Sequence, residues 1–201
     1  VGSRFHQEEL DRVQPTETWR QTGGSLAFLS ETAKSSLTGS NNRTEESDAI
    51  SLWAVDHIAV TEALELTLAL RYEDWEIDRA DVQSDGSKKK LSAKGSEWLP
   101  GIGATYQLND RWQLLGGVHK GIAVASAGSD GDDPDPEESI NYEAGFRFAQ
   151  DNFQGEVIGF FSDYSNAVLN CSNARPCENG DITGSQQLGE SEVKGLEATA
   201  S

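Results

Sequence analysis

An apolar residue at every second position is the feature that most constrains this chain. Every second residue from Leu64 to Tyr72 is apolar, and a second run repeats the pattern from Ile140 to Phe148. Successive side chains of a β-strand point to opposite faces, so a period of two predicts strands with one apolar and one polar face. The sequence therefore predicts an all-β fold.

The connections between the predicted strands alternate in length. Three are short turns, at 61–63, 108–111 and 150–152, whereas the others are long, polar and rich in Gly, Ser, Asn and Asp. The predicted strands are 1–13, 47–60, 64–80, 97–107, 112–123, 139–149, 153–165 and 190–201, and the long connections are 14–46, 81–96, 124–138 and 166–189. Short turns on one side and long loops on the other are typical of an antiparallel transmembrane β-barrel in a bacterial outer membrane. The chain is thus predicted to supply about eight such strands.

Composition excludes other classes of protein. The 201 residues have a net charge of -18, with 16 Lys and Arg against 34 Asp and Glu, which argues against nucleic-acid binding. No run approaches the roughly 18 apolar residues that a membrane-spanning helix requires. A barrel strand needs an apolar residue only at every second position, so the mean hydropathy of -0.56 is compatible with a membrane barrel.

The polar face of the predicted strands indicates an aqueous or plugged interior. Polar and charged residues alternate with the apolar ones, and such side chains are costly against lipid. The residues assigned to this inner face are Thr67, Arg71, Glu73, Asn141, Glu143, Arg147 and Glu197. Tyr106 and Trp112 bracket one short turn, and Phe148 and Phe153 bracket another, as expected for an aromatic girdle at the membrane surface.

The sequence carries no recognisable catalytic motif. It has no nucleophile elbow, no phosphate-binding glycine loop and no histidine pair at metal-ligand spacing, so we predict neither an enzyme nor a bound cofactor. The acidic run 129–138 offers six carboxylates for calcium but lacks EF-hand spacing, and plain solvation is the alternative. Cys171 and Cys177 are predicted to form a disulfide in an oxidising compartment, because no histidine lies near them to complete a zinc site.

Several segments resemble TonB-dependent outer-membrane receptors. They are Gly2–His6 with Glu8, Glu9, Asp11 and Arg12, then Leu70–Glu73, Gly117–Gly121, Pro136–Arg147 and Val193–Glu197. The first strand and the residues from Gln14 and Pro15 to Gly23 and Gly24 are most similar to the ferric dicitrate branch of that family. The resemblance implies a barrel of about 22 strands closed by an N-terminal plug. It further implies a ferric chelate bound at the outer face and imported by plug movement powered through the TonB complex.

The resemblance also bears on the extent of the chain. Residues 1–201 are interpreted as an internal part of the barrel domain, with the plug and the remaining strands outside it, and no signal peptide is visible at Val1.

An anionic ferric chelate would need Arg or Lys donors. The candidates are Arg20, Arg43, Lys88, Lys89, Lys90 and Lys94, all assigned to predicted loops. Contact with anionic lipopolysaccharide, membrane lipid or water is the alternative for these lysines.

Three other interpretations stay open at this stage. A TonB-dependent receptor for a non-iron cargo such as cobalamin has the same barrel. Eight strands also suffice for a self-contained barrel with a structural or adhesive role. A soluble, acidic all-β binding module would instead gather Leu66, Leu68, Ile140 and Phe146 into a dry centre between two sheets.

Overall fold

The computed structural model describes residues 1–124, 135–170, 185–187 and 189–201, and this part of the chain is built almost entirely of β-strands. The strands are β1 (Gly2–Val13), β2 (Glu17–Thr22), β3 (Ser25–Glu31), β4 (Asn42–Ala59), β5 (Leu64–Val82), β6 (Lys88–Gln107), β7 (Trp112–Ala123), β8 (Glu137–Gln150), β9 (Phe153–Ser165), β10 (Val168–Asn170), β11 (Ser185–Gln187) and β12 (Glu190–Ala200). Two 3-10 turns, Lys34–Ser36 and Gly39–Asn41, precede β4. The described residues include no helix that is long and apolar enough to cross a membrane.

Eight of the strands form one antiparallel sheet in the order β1-β4-β5-β6-β7-β8-β9-β12. This arrangement confirms the predicted all-β antiparallel barrel segment. The sheet is open, because β1 and β12 are its two edges in the described structure and do not pair with each other. A self-contained, closed eight-stranded barrel is therefore contradicted, since closure requires hydrogen bonds between the first and last strands.

The two faces of the sheet follow the predicted alternation. We call the face with Leu64, Leu66, Leu68, Leu70 and Tyr72 the outer face. Leu68 is 42% exposed and Phe146 39% exposed on a single sheet, so the predicted dry centre of a soluble sandwich is absent from the described residues. Strand register places the seven residues predicted for the polar interior together on the opposite face, which we call the inner face.

The β4, β5 and β6 strands extend farther than predicted. β4 begins at Asn42 and β6 at Lys88, and the β5–β6 connection is only the turn at 83–87. The prediction of a long loop at 81–96 is thus wrong. Apolar residues also change face along β6, from Leu91 and Ala93 at odd positions to Trp98 at an even position, and this change of phase hides the first part of the strand.

The turn at 83–87 is closed by a local hydrogen-bond network. Gly86 adopts a φ of 81°, and the Asp85 carboxylate accepts hydrogen bonds from the Ser87 hydroxyl at 2.6 Å and the Ser87 N–H at 2.9 Å. These bonds, the hydroxyl first, hold the pKa of Asp85 below its ordinary value. The turn lies at the end of the sheet that also carries the long connections, which we call the distal end.

The first long connection contains structure that the sequence pattern did not predict. β2 and β3 form a separate two-stranded hairpin with all of its residues exposed. Trp19 and Phe28 pack edge to face across it, with ring centroids 5.2 Å apart. This aromatic pair stabilises a hairpin that projects from the distal end.

Candidate functional site

A small buried cluster lies on the inner face at the distal end. Trp75, Ile77, Leu91 and Ala93 are 8%, 8%, 7% and 4% exposed, and Ala49 and Ile122 pack against them. The cluster begins just beyond the Tyr72–Trp98 pair of the outer face, whose ring centroids are 4.8 Å apart. Past that pair the outer face becomes charged, and the buried apolar side chains lie on the inner face.

β6 and β7 separate beside this cluster. Their pairing extends from Gln107 to Gly101 and ends at the Gly101–His119 pair. Pro100 follows at the point of separation, and a proline has no N–H with which to continue a ladder. From Lys88 to Pro100, β6 therefore pairs only with β5 among the described strands.

Two adjoining cavities occupy the region of this separation. The first has a volume of 540 Å³ and lies between β6 and the distal ends of β7, β8 and β9. It is lined by Trp75, Ala93, Lys94, Gly95, Ser96, Glu97, Val124, Asp135, Pro136, Glu138 and Asn166. The second, of 450 Å³, is lined by Ala49, Ala69, Arg71, Glu73, Trp75, Leu99, Pro100, Gly101, His119, Lys120, Gly121, Ile122 and Val124. Trp75 and Val124 line both cavities.

Lys120 joins the strands where the β6–β7 ladder has ended. Its Nζ lies 3.1 Å from Glu97 Oε1 on β6 and 3.0 Å from Glu138 Oε2 on β8. The three side chains are 19%, 28% and 32% exposed, so these contacts are only partly screened by water. The bridge connects β6 to β8 across the gap between the strands.

Arg71 is held by a second polar network on the wall of the second cavity. Its guanidinium pairs with Glu73, and Arg71 Nη2 donates to Ser51 Oγ at 3.3 Å. The Ser51 hydroxyl in turn donates to Glu73 Oε2 at 2.6 Å. Arg71 is half exposed toward the cavity, whereas Glu73 is only 13% exposed. The network fixes the guanidinium on the inner face.

The predicted basic candidates do not converge on these cavities. Arg20 lies exposed on β2, and Arg43 lies on β4, 3.6 Å from Glu45. Lys88, Lys89, Lys90 and Lys94 are exposed residues of β6, so their assignment to a loop is wrong. Only Lys94 of the six lines either of the two cavities. Cys171, Cys177 and residues 129–134 of the acidic run lie outside the described residues, so the disulfide and calcium predictions stay predictions.

Trp75, His119 and Lys120 were missed as candidate site residues. Each belongs to a strand, whereas the predicted basic candidates were all assigned to loops. Trp75 had one usable signal, because it is the first apolar residue after the change of phase beyond Tyr72. Nothing in the local pattern marks His119 or Lys120, since their placement follows from the separation of β6 and β7.

Gly95 is required where the Trp75 ring crosses it. A Cβ built on Gly95 would lie 2.5 Å from Cζ2 of Trp75, its cross-strand partner. We expect Gly95→Ala to push the indole out of its place between the cavities, destabilising the complete receptor by about 1–3 kcal/mol. Thermal unfolding of the purified receptor should show a lower midpoint. Gly103→Ala is the matched control on the same strand, because its Cβ meets no atom closer than 3.7 Å, and an equal loss in both variants would contradict the prediction.

Comparison with known proteins decides the family. The family model described as "TonB dependent receptor-like, beta-barrel" matches residues 2–201. The chain belongs to the TonB-dependent receptor β-barrel family. Members of this family are outer-membrane receptors and transporters.

The proteins to which this TonB-dependent receptor segment is similar include some that are described as receptors or transporters of siderophores and ferric chelates. It is 26% identical over 149 residues to the "Probable TonB-dependent siderophore receptor PirA" of Acinetobacter baumannii, covering 62% of this chain and 18% of PirA. The ferric-catecholate import receptor Fiu from E. coli K12 matches with a TM-score of 0.66 at 16% identity, over 98% of this chain and 31% of Fiu. The ferric citrate transporter FecA matches with a TM-score of 0.63 at 18% identity, over 98% of this chain and 28% of FecA.

These identities and coverages limit what can be concluded from the similarity. The segment spans less than a third of the length of each of these three relatives. At such identities the two solved structures establish the fold alone. Their nearly equal TM-scores do not single out the ferric dicitrate branch suggested by the first strand.

Proposed function

We propose that this chain is part of an outer-membrane receptor that imports a ferric chelate by ligand binding and TonB-coupled plug movement. The observation that carries the proposal is the pair of cavities beside the separation of β6 and β7, which share Trp75 in their walls. An aromatic wall with a few fixed polar groups is the usual composition of a small-molecule site. The siderophore-receptor relatives support iron as the cargo.

Strand geometry supports the membrane location. Trp98 and Tyr106 stand at the two ends of the apolar stretch of β6, and a strand between them is about 27 Å long at 3.4 Å per residue. A tilt of about 40° reduces this to about 20 Å along the membrane normal, close to the apolar band of outer-membrane barrels. The first cavity then lies beyond the band, on the side of the long connections, where a ligand arrives from outside, and the second extends from there to the level of Ala69 and Gly101.

A strain lacking the complete gene tests the function. We expect it to lose energy-dependent uptake of radioactive iron from at least one class of ferric chelate, and to regain it with the wild-type gene. Loss of TonB in the complemented strain should abolish the uptake again. Growth on ferric citrate as the sole iron source tests the dicitrate type. Iron uptake that is normal from every class of chelate would reject the proposal in favour of a non-iron cargo.

A further inference from the structure

A third cavity adjoins the second one, on the side of β1 and β4. It has a volume of 330 Å³ and shares Ala69, Arg71 and Leu99 with the second cavity. Arg4 and Trp53 also line it, and strand register places all five side chains on the inner face. A ligand that occupies the second cavity can therefore extend past Arg71 into the third.

Arg4 is a cation without a carboxylate partner among the described residues. None of the ion pairs found there includes its guanidinium. Arg4 Nη2 donates to His6 Nδ1 at 3.2 Å, and a ring nitrogen that accepts a hydrogen bond carries no proton, so this imidazole is neutral. His6 Nε2 lies 3.4 Å from Glu8 Oε2, which places Glu8 against the imidazole and not against the guanidinium. The charge of Arg4 thus stays available to a ligand.

Trp53 lies on the strand between the two arginines. Arg71 is its cross-strand partner on β5, and Gly2 is its partner on β1, two residues from Arg4. A Cβ built on Gly2 would lie 2.5 Å from Cζ2 of Trp53, so the ring crosses over β1 where a glycine leaves room for it. The Trp53 residue remains 37% exposed on the inner face. Its indole supplies a flat apolar surface beside two guanidinium groups.

The third cavity differs from the other two in the charges of its described lining. Three carboxylates line the first cavity and Glu73 lines the second, whereas no carboxylate lines the third. Glu73 pairs with Arg71 from the wall of the second cavity. With Glu73 counted, two guanidinium groups face one carboxylate, so the third cavity keeps an excess of one positive charge. A wall of one sign concentrates ligand groups of the opposite sign.

We propose that the third cavity is a subsite for a free anionic group of the ferric chelate, a carboxylate above all. The inference rests on the proposed function and narrows its cargo to chelates that carry such a group beside the iron centre. The iron-bearing part lies in the second cavity. Arg4 and Arg71 pair with the anion, because a planar guanidinium fits a carboxylate through two parallel hydrogen bonds. Trp53 covers the apolar chain that joins the anion to the rest of the ligand.

The test uses the complete purified receptor and three versions of one linear ferric trihydroxamate. The first keeps a terminal ammonium, the second is N-acetylated and neutral, and the third is N-succinylated and anionic, while the iron centre stays the same. We expect the affinity, followed by quenching of tryptophan fluorescence, to be about fivefold higher for the succinylated than for the acetylated version. The ammonium version should bind most weakly. The differences should shrink at high salt, because Arg4 and Arg71 are exposed.

Arg4→Gln tests the subsite itself, because it removes the cation that has no carboxylate partner among the described residues. We expect the preference for succinyl over acetyl to fall about fivefold, while the acetylated version binds as before. Arg4→Lys keeps the charge and should retain more of the preference than Arg4→Gln. Arg12→Gln is the matched control, because Arg12 lies on the same strand and the same face but lines none of the three cavities, and it should leave the preference unchanged.

The outcomes separate this inference from the proposed function. Equal affinity for the three versions, tighter binding of the ammonium one, or an unchanged preference in Arg4→Gln overturns the inference while ferric-chelate binding stands. Failure of all three versions to bind also overturns the inference. Only together with normal iron uptake in the deletion strain does that failure overturn the proposed function as well.

Discussion

Asp81→Asn should destabilise the distal end of the sheet more than any other single change of charge considered. Asp81 and Arg79 are 5% and 9% exposed, and two hydrogen bonds of 2.7 Å join the guanidinium to the carboxylate. Register places Arg43 and Lys89 on either side of Asp81. The substitution removes the anion that lies between Arg43, Arg79 and Lys89, and the loss of one partner of a buried pair costs about 3–5 kcal/mol.

The measurement is proteolysis of the complete receptor by a protease added to intact cells, together with its thermal unfolding. We expect the variant to be cleaved within the β5–β6 hairpin at protease concentrations that leave the wild type intact. Asp78→Asn is the matched control, because Asp78 lies on the same strand but is exposed on the outer face. Equal resistance of Asp81→Asn and Asp78→Asn would show that the buried pair contributes little.

The sequence pattern was sufficient to predict the sheet, because apolar residues recur at every second position along the lipid-facing part of each strand. Leu64–Tyr72 of β5 and Ile140–Phe148 of β8 occupy the predicted strands, and the three short turns lie where turn-forming residues interrupt the pattern. Register then follows, since a slip of one residue would turn Leu68 and Phe146 to the inner face. Where lipid and an aqueous interior impose opposite demands on the two faces, local sequence determines the structure.

The distal end could not be predicted in the same way because the demands on the two faces change there. Beyond Tyr72 the outer face of β5 carries Asp74, Glu76 and Asp78, as expected for strands that have left the lipid, and the inner face becomes the buried one. On β6 the apolar residues change face in the same way, from Trp98 on the outer face to Ala93 and Leu91 on the inner face, and a single-phase pattern therefore predicts a loop at 81–96 that contains Lys88 and Lys94. Trp75 falls within the predicted strand 64–80 but was not named as a site residue.

The candidate site was still harder to predict because it depends on contacts between distant segments. Lys120 meets Glu97 and Glu138 only because β6 and β7 separate next to Pro100. A proline within a strand indicates that one ladder of hydrogen bonds is interrupted. The strand has a neighbour on each side, and which neighbour loses its hydrogen bonds depends on the side that the proline nitrogen faces. The sequence does not specify that side, so the contacts of Lys120 with Glu97 and Glu138 and the neighbouring cavities are evident only in the folded sheet.

Leu68→Arg should prevent much of the complete receptor from reaching its folded form in the outer membrane. Leu68 lies on the outer face in the middle of the apolar stretch of β5, opposite Ile102 of β6, and is 42% exposed in the direction assigned to lipid. An arginine at the midplane of a barrel's lipid face costs about 2–4 kcal/mol. The amount of heat-modifiable receptor in purified outer membranes should fall severalfold. After refolding into lipid vesicles, the variant should unfold at a lower urea concentration than the wild type.

Thr67→Arg provides the control at the adjacent position. Thr67 lies on the inner face, where its hydroxyl is 3.0 Å from His57 Nδ1 and its cross-strand partner on β6 is Gly103, which leaves room for a longer side chain. An arginine there faces the polar interior and costs no transfer into lipid, so the folded receptor should form in nearly normal amounts. The contrast between two neighbouring residues isolates the face of the strand from its position along the membrane. If Leu68→Arg and Thr67→Arg fold equally well, the outer face does not contact lipid, and the assignment of this sheet to a transmembrane barrel is wrong.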